Sequence, residues 1–133
     1  MKLLDVVNPA TDELITQLRI DDGAAVAIKA QKARNAQAEW AATPLADRMA
    51  CIQRFRALVV VQLDDLAKTM TQETGKPLAH SRNELNGFLG RVDFFLSEAE
   101  AVLKTETVYK QDGMCEQIQH IPLGLIGNIS AWN

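Results

Sequence analysis

The side chains best suited to covalent chemistry are two cysteines, Cys51 and Cys115. They lie far apart, form no CxxC pattern, and have no neighbouring histidine or helix N-terminus that would favour a reactive thiolate. Cys51 falls in an apolar helical stripe and is predicted to be a small buried residue. Cys115 falls on a predicted strand after a turn and is expected to be structural or incidental. His80 and His120 are separated by a helix and a turn, so a shared metal site is not expected.

Three charged residues, Glu73, Lys76 and Glu84, are the other candidates for a polar site. Each lies at or near a predicted helix end, where a solvated cap explains it more simply than catalysis does. The sequence has no Ser/His/Asp set, no P-loop and no cluster with metal-ligand spacing. Gly124 and Gly127 do not form GxGxxG, because no third glycine opens a following helix. From residue types alone, the chain offers few catalytic constellations.

Composition is that of a soluble globular protein of 133 residues, with 47% hydrophobic and 23% charged residues. A formal charge of -3 provides no basic surface, so nucleic-acid binding is not expected. No apolar run is long enough to span a membrane, and Asp5 interrupts the N-terminal apolar residues where a signal peptide would continue. The expected location is the cytoplasm.

The first third of the chain predicts a hairpin followed by a helix. Turn formers over residues 8–12 separate two apolar stretches within residues 4–20, which indicates an N-terminal β-hairpin. Asp21-Asp22-Gly23 supplies an N-cap for an alanine-rich helix that ends near Trp40. Thr43-Pro44 is a second start signal, with Thr43 as the cap and Pro44 as the first helical residue.

A core-facing helical stripe follows at spacings of three and four residues. The β-branched run Val59-Val60-Val61, with Asp64 as a possible new cap, indicates two helices rather than one. Gly75 and Pro77 end the stretch, since glycine tolerates the left-handed C-cap and proline cannot continue the helix. The stripe comprises Leu45, Met49, Ile52, Phe55, Val59, Leu63, Leu66 and Met70.

A further helix is predicted from Pro77 or Leu78, and alternation replaces helical periodicity after Lys104. Asp112-Gly113 is a tight-turn signal between two strands. The apolar run Leu125 to Ile129 is predicted to be a buried strand, and it leads directly into Trp132-Asn133. The buried face of the helix is predicted to hold Leu78, Leu85, Phe88, Leu89, Val92, Phe95, Leu96, Ala99 and Val102.

Three ordered motifs resemble the N-terminal segment of the NAD(P)-dependent aldehyde dehydrogenases, of the semialdehyde and aldehyde type. The motifs are residues 8–13 (NPATDE), residues 73–77 (ETGKP) and residues 122–133, in which Pro122, Gly124, Ile129, Trp132 and Asn133 match. Ala131 replaces the proline usual before the tryptophan. The resemblance covers nearly the whole chain, and the chain covers only the beginning of such an enzyme.

The resemblance implies an α/β aldehyde dehydrogenase-like fold, of which this chain is a mainly helical portion. That portion has an N-terminal β-hairpin, a C-terminal β-hairpin and one buried strand. Residues 1–105 are expected to form the hairpin and helices of the cofactor-binding domain. Residues 106–121 resemble the oligomerisation arm, and residues 122–133 the truncated first strand of the cofactor-binding sheet.

By the same resemblance, the side-chain amide of Asn133 is a catalytic group that stabilises the oxyanion formed when a thiolate attacks the aldehyde. The backbone of Ile129, Ser130, Ala131 and Trp132 is expected to lie against the ribose and nicotinamide of the cofactor. The helix that begins near residue 78 resembles the one that lines the aldehyde tunnel, which makes Phe88, Leu89 and Val92 candidates for shaping substrate preference. Plain core packing is the favoured interpretation of these three.

The family's nucleophilic cysteine and general-base glutamate would follow Trp132-Asn133 and are absent from this chain. The complete enzyme would oxidise an aldehyde to a carboxylic acid with NAD or NADP. This chain alone is expected to be inactive, to bind no cofactor and to self-associate. Two alternatives stay open, a non-catalytic oligomerisation or interaction module and a truncation product of the same family.

Overall fold

The computed structural model describes residues 2–130, in which two β-hairpins flank four helices. The chain order is β1 (Leu3–Val7), β2 (Leu14–Arg19), α1 (Gly23–Ala42), α2 (Leu45–Val61), α3 (Leu63–Thr74), α4 (Leu78–Leu103), β3 (Glu106–Gln111) and β4 (Met114–Ile118). The predicted mainly helical architecture with a hairpin near each end is confirmed. No helix within residues 2–130 combines the length and apolar character that a bilayer span requires.

The N-terminal hairpin is closed by the turn formers that the sequence indicated. Strands β1 and β2 pair antiparallel, with Leu4 opposite Leu18. Asn8 organises the turn: its side-chain oxygen accepts the N–H of Ala10 at 2.9 Å, and its own N–H donates to the Glu13 carbonyl. Such local side-chain bonds are the reason that asparagine favours turns.

Helix α1 begins at the predicted N-cap, and Thr43 caps its C-terminus instead of starting the next helix. The Asp22 carboxylate accepts the N–H of Ala25 at 2.8 Å, which caps the helix. Thr43 was predicted to cap the next helix, and that prediction is wrong. Its hydroxyl instead donates to the Glu39 carbonyl at 3.0 Å, so it satisfies the C-terminus of α1. Pro44 is the residue that precedes α2, and it forms no side-chain cap bond.

The predicted division into α2 and α3 is confirmed, but its position differs by two residues. The break falls at Gln62, whose N–H still bonds to the Leu58 carbonyl. Asp64 is therefore not the cap. It lies in the first turn of α3, where a negative charge suits the helix dipole, and its Oδ1 accepts from Arg82 Nε of α4 at 2.8 Å.

The turn between α3 and α4 depends on a glycine for two independent reasons. Gly75 has φ +73° and donates its N–H to the Thr71 carbonyl at 2.8 Å, the left-handed C-cap that the sequence predicted. A Cβ at this position would also lie 3.0 Å from Cγ of Pro9 in the N-terminal hairpin. The close approach brings the turn of β1–β2 against the α3–α4 turn.

Replacement of Gly75 by alanine is expected to destabilise the fold by about 1–2 kcal/mol, because the left-handed conformation is costly for a residue with a Cβ. Gly87→Ala in α4 is the matched control. No atom lies within 4 Å of its added Cβ, so we expect about 0.5–1 kcal/mol of stabilisation from helix propensity. Urea unfolding of both variants checks the opposite signs; a stabilised Gly75→Ala protein would contradict the account.

The core lies where α4 packs against both α2 and α3. Among the described residues, the buried side chains are Val59, Ala67, Leu89 and Ser81. The Ser81 hydroxyl meets the Thr71 hydroxyl at 2.8 Å, so the buried polar group between α3 and α4 has a partner. Cys51 is only half-buried, which departs from the predicted full burial.

The second hairpin turns at the predicted Asp-Gly pair. Asp112 and Gly113 have φ of 51° and 82°, as a two-residue turn with positive φ at both positions requires. Strands β3 and β4 pair antiparallel, with Lys110 opposite Cys115. Every residue of both strands is exposed, Cys115 included.

The buried strand predicted over Leu125 to Ile129 is not formed. Residues 119–130 carry no helix or strand, and Leu125, Ile126 and Ile129 are 44%, 64% and 96% exposed. A strand needs neighbours for its backbone groups, and this segment joins neither of the two-stranded hairpins among the described residues. The apolar sequence indicates a segment suited to burial, but no other part of residues 2–130 buries its side chains.

Candidate functional site

Two of the predicted site residues, Ile129 and Ser130, lie within the described residues, and the other three lie outside them. Ala131, Trp132 and Asn133 lie outside residues 2–130, so the positions of the predicted oxyanion donor and of most of the cofactor contact are not described. Ile129 is 96% exposed, and the Ser130 hydroxyl donates to Oδ1 of neighbouring Asn128 at 3.0 Å. Neither side chain is held in a pocket. The contact of residues 129–132 with a cofactor stays a prediction.

The other titratable residues of the described chain form no candidate metal centre. Within residues 2–130, no group of three or more His, Cys, Asp or Glu side chains is placed to hold a metal ion. Cys51 belongs to α2 and Cys115 to the exposed second hairpin. Lys76 pairs with Glu84 across the start of α4, and this ion pair supports the α3–α4 turn. These charges therefore have a structural use.

An apolar cleft of about 380 Å³ lies between α2 and α4. The sequence signal for it was the pair of helical stripes, which were interpreted as core. The structure leaves this part of the two stripes open, since Ile52 and Phe95 are 42% and 63% exposed. We call this surface the α2/α4 cleft; it is lined by Trp40, Leu45, Arg48, Met49, Ile52, Val92, Phe95, Leu96 and Ala99.

The three candidates for substrate preference lie in different surroundings. Leu89 is buried, and Phe88 packs edge-to-face against Phe55 with ring centroids 6.0 Å apart. Val92 lines the α2/α4 cleft. Leu89 is therefore a core residue in this arrangement, and a role of the three in substrate preference stays a prediction.

A two-point ion pair joins the helices beside the cleft. The Arg56 guanidinium donates from Nη2 to Asp93 Oδ2 at 2.7 Å and from Nε to Oδ1. The hydrogen bonds from Arg56 lower the pKa of the Asp93 carboxyl, and its positive charge acts in the same direction. The same contact raises the pKa of Arg56. Sequence reasoning missed this pair, because the residues are 37 positions apart and no local pattern links them.

The Asp93 contact is expected to make stability depend on pH in acid. Because the folded-state pKa is lowered, the contribution is present above the unfolded carboxyl pKa of about 3.9 and is lost as pH falls through the folded value. The difference in urea midpoint between the parent chain and Asp93→Asn should therefore shrink as pH is lowered from 6. Asp65→Asn is the control, since Asp65 meets Lys68 at 3.1 Å on the exposed face of α3. A gap that widens in acid would contradict the assignment.

Comparison with known proteins gives a family match over the whole chain. Residues 1–133 match the aldehyde dehydrogenase family. The chain is 28% identical over 130 residues to 3,6-anhydro-alpha-L-galactose dehydrogenase of Streptomyces coelicolor, covering 98% of this chain and 26% of that protein. It is 29% identical over 130 residues to glutarate-semialdehyde dehydrogenase of Pseudomonas putida, covering 98% of this chain and 27% of that protein.

A solved structure shows the same likeness in the fold. The crystal structure of succinate-semialdehyde dehydrogenase from Burkholderia pseudomallei superposes with a TM-score of 0.75 at 29% identity. The match covers 84% of this chain and 23% of that chain. The chain thus spans about a quarter of the length of the proteins that it matches.

Proposed function

Since the chain belongs to the aldehyde dehydrogenase family, we propose that it supplies the N-terminal portion of an NAD(P)-dependent enzyme that oxidises an aldehyde to a carboxylic acid. The observation that carries the proposal is the match of residues 1–133, end to end, to that family. The fold supports it, because the arrangement of hairpins and helices is shared with the solved dehydrogenase from Burkholderia pseudomallei. Semialdehydes are the substrate type named for several relatives, and we extend that class to the complete enzyme.

Within this proposal, residues 1–105 belong to the cofactor-binding domain, residues 106–121 to an oligomerisation arm and residues 122–133 to the first strand of the cofactor-binding sheet. Asn133 supplies an amide N–H to the developing oxyanion, and residues 129–132 lie along the cofactor. Leu125 to Ile129 then gains the neighbouring strands that residues 2–130 do not provide. This accounts for an apolar segment that is exposed in the described chain.

We predict that the 133-residue chain alone does not oxidise aldehydes. By resemblance, the nucleophilic cysteine and the general-base glutamate of the family belong to sequence after residue 133, and the chemistry depends on both. The test is aldehyde-dependent NADH or NADPH formation measured against a protein-free blank. Activity that is abolished by Cys51→Ser or Cys115→Ser would contradict the prediction.

A chimera tests whether the chain can serve as part of an active enzyme. In it, this chain replaces the matched portion of the glutarate-semialdehyde dehydrogenase of Pseudomonas putida. We expect the chimera to reduce NAD(P) with glutarate semialdehyde. Asn133→Ala should lower its kcat by about 10²–10³-fold, the loss expected when one oxyanion donor is removed. Asn83→Ala, an exposed asparagine on α4, is the matched control and should leave kcat within about twofold.

The outcomes separate the proposal from its alternative. If the chimera is active and kcat is equal for Asn133→Ala and the control, the oxyanion role of Asn133 is contradicted and the proposed aldehyde oxidation is still supported. A folded, inactive chimera would remove the catalytic proposal. The fully exposed β3–β4 hairpin favours the interaction module as the second candidate. A defined oligomer of the chain in sedimentation, with no NAD binding, would support that candidate.

A further inference from the structure

Helix α4 has two chemically different faces. One face packs against α2 and α3, and its residues are buried or half-buried at helical spacing: Leu78, Ser81, Leu85, Leu89, Val92, Leu96 and Ala99. The opposite face is exposed and includes Gly87, Gly90, Arg91 and Phe94; we call it the outer face of α4. Of these four residues only Phe94 is large and apolar, so the outer face lacks the apolar stripe of a core-facing surface.

Two glycines on the outer face are not required by any neighbour within residues 2–130. Gly87 and Gly90 lie in the interior of α4, where glycine lowers helix stability relative to alanine. A Cβ added at either position would meet nothing within 4 Å. Glycine also permits the close approach of a ligand to the backbone. The two glycines therefore leave open space on the helix surface beside Arg91.

Arg91 is the charged residue of this part of the outer face, and its guanidinium is available to a ligand. Of the two arginines on α4, Arg82 donates to Asp64 at 2.8 Å. Arg91 has no hydrogen-bond or ion-pair partner among residues 2–130. A guanidinium presents its N–H donors in a planar fork that matches the two oxygens of a carboxylate. The geometry of the outer face therefore suits an acidic ligand.

We propose that Arg91 binds the carboxylate of the substrate in the complete enzyme, at the end remote from the aldehyde; this inference rests on the proposed function. The semialdehydes named for relatives of this chain, succinate and glutarate semialdehyde among them, each carry such a carboxylate. Phe88, Leu89 and Val92, the earlier candidates for substrate preference, are apolar and offer a carboxylate no donor. The specificity-determining position then lies on the outer face of α4 rather than on its packed face.

A carboxylate partner accounts for both features of the outer face. An acidic substrate that lies along the helix needs a cation for its charge and room for its chain, which Arg91 and the two glycines provide. Hydrogen bonds to charged groups contribute more to binding than hydrogen bonds between neutral groups. Arg91 therefore selects acidic aldehydes over neutral aldehydes of equal length.

Paired substrates in the chimera test this contact. Glutarate semialdehyde and pentanal have carbon chains of equal length and differ at the end remote from the aldehyde. We expect Arg91→Met to lower kcat/KM for glutarate semialdehyde by about 10–100-fold and for pentanal by less than about twofold. Arg91→Lys keeps the charge and loses the fork, so its loss with glutarate semialdehyde should be intermediate. Arg54→Met, which removes an exposed arginine of α2, is the matched control and should change neither value by more than about twofold.

Equal losses for the two aldehydes in Arg91→Met would overturn the proposal, because Arg91 would then pair with later sequence rather than with the substrate. The absence of any loss would overturn it as well. In both cases an active chimera leaves the proposed function standing. A folded chimera that oxidises neither aldehyde contradicts the proposed function, and glutarate binding then decides the role of Arg91.

Glutarate binding measures the carboxylate contact without turnover, and it applies also if the chimera does not fold. In that case the remaining portion of the Pseudomonas putida enzyme is expressed separately and mixed with the chain. Glutarate or pentanoate is titrated into the chimera or the mixture by calorimetry. We expect Arg91→Met to weaken glutarate binding by about tenfold or more and pentanoate binding by less than about twofold, with Arg54→Met unchanged. No glutarate binding with the parent chain, or equal weakening for the two acids, would overturn the proposal.

Discussion

Replacement of Leu89 by alanine should lower the free energy of unfolding by about 2–4 kcal/mol. Leu89 is 7% exposed and lies on α4, the helix that contacts both α2 and α3. The only other buried hydrophobic side chains among residues 2–130 are Val59 and Ala67, so few other contacts replace those that Leu89 loses. For a domain whose total stability is about 5–15 kcal/mol, the loss is a large fraction.

The measurement is urea unfolding followed by circular dichroism at one protein concentration. Leu58→Ala on α2 is the matched control, since Leu58 is 59% exposed and its truncation should cost less than about 1 kcal/mol. An equal loss for both variants would show that burial against α2 and α3 does not decide the stability of this helix.

Local chemistry predicted most elements correctly because their signals are local. Asn8 closes the first turn through its own side chain, and Asp22 caps α1 through the N–H three residues on. Gly75 and Gly113 occupy the left-handed conformations that glycine tolerates. Each signal needs only a few neighbouring residues, so a single sequence is sufficient to read it.

The predicted helix boundaries differ from the structure where one residue can serve either of two neighbouring helices. Thr43 stands between two helices, and its hydroxyl can satisfy a carbonyl behind it or an N–H ahead of it. In the structure the Thr43 hydroxyl donates to the preceding Glu39 carbonyl. Pro44 has no N–H to offer to the next helix. Gln62 shows the same ambiguity, since its backbone ends α2 and precedes α3.

Periodicity identifies an apolar face but not what covers that face. The stripes of α2 and α4 were predicted to be core, and the structure buries Val59 and Leu89 but leaves Ile52 and Phe95 open. The covering partner must come from distant sequence, which no helical spacing encodes. The Arg56–Asp93 ion pair escaped prediction for the same reason.

The candidate site was predictable only through motif resemblance. An amide such as that of Asn133 becomes catalytic when it is aimed at a developing negative charge, and its sequence neighbours do not encode that direction. The thiolate that generates the charge belongs, by resemblance, to sequence after residue 133. The chimera is therefore the form of the protein in which the role of Asn133 can be measured.

In isolation, the chain is expected to associate with itself. Leu123 and Ile129 in the extended segment after β4 are 91% and 96% exposed, and His120 is the only ionisable side chain in residues 119–130. The β3–β4 hairpin also carries two unpaired edges within the described residues. Exposed apolar segments and free strand edges are templates for pairing with another chain.

Light scattering coupled to size-exclusion chromatography over a series of concentrations measures this association. The apparent mass should rise above 14.7 kDa with concentration, and the double variant Ile126→Asp, Ile129→Asp should lower it toward that value. The control Val26→Asp, Ile28→Asp adds the same charge on exposed positions of α1. If both variants reduce the mass equally, net charge rather than the extended segment governs association. A monomer at every concentration would contradict the expectation that these residues pair between chains.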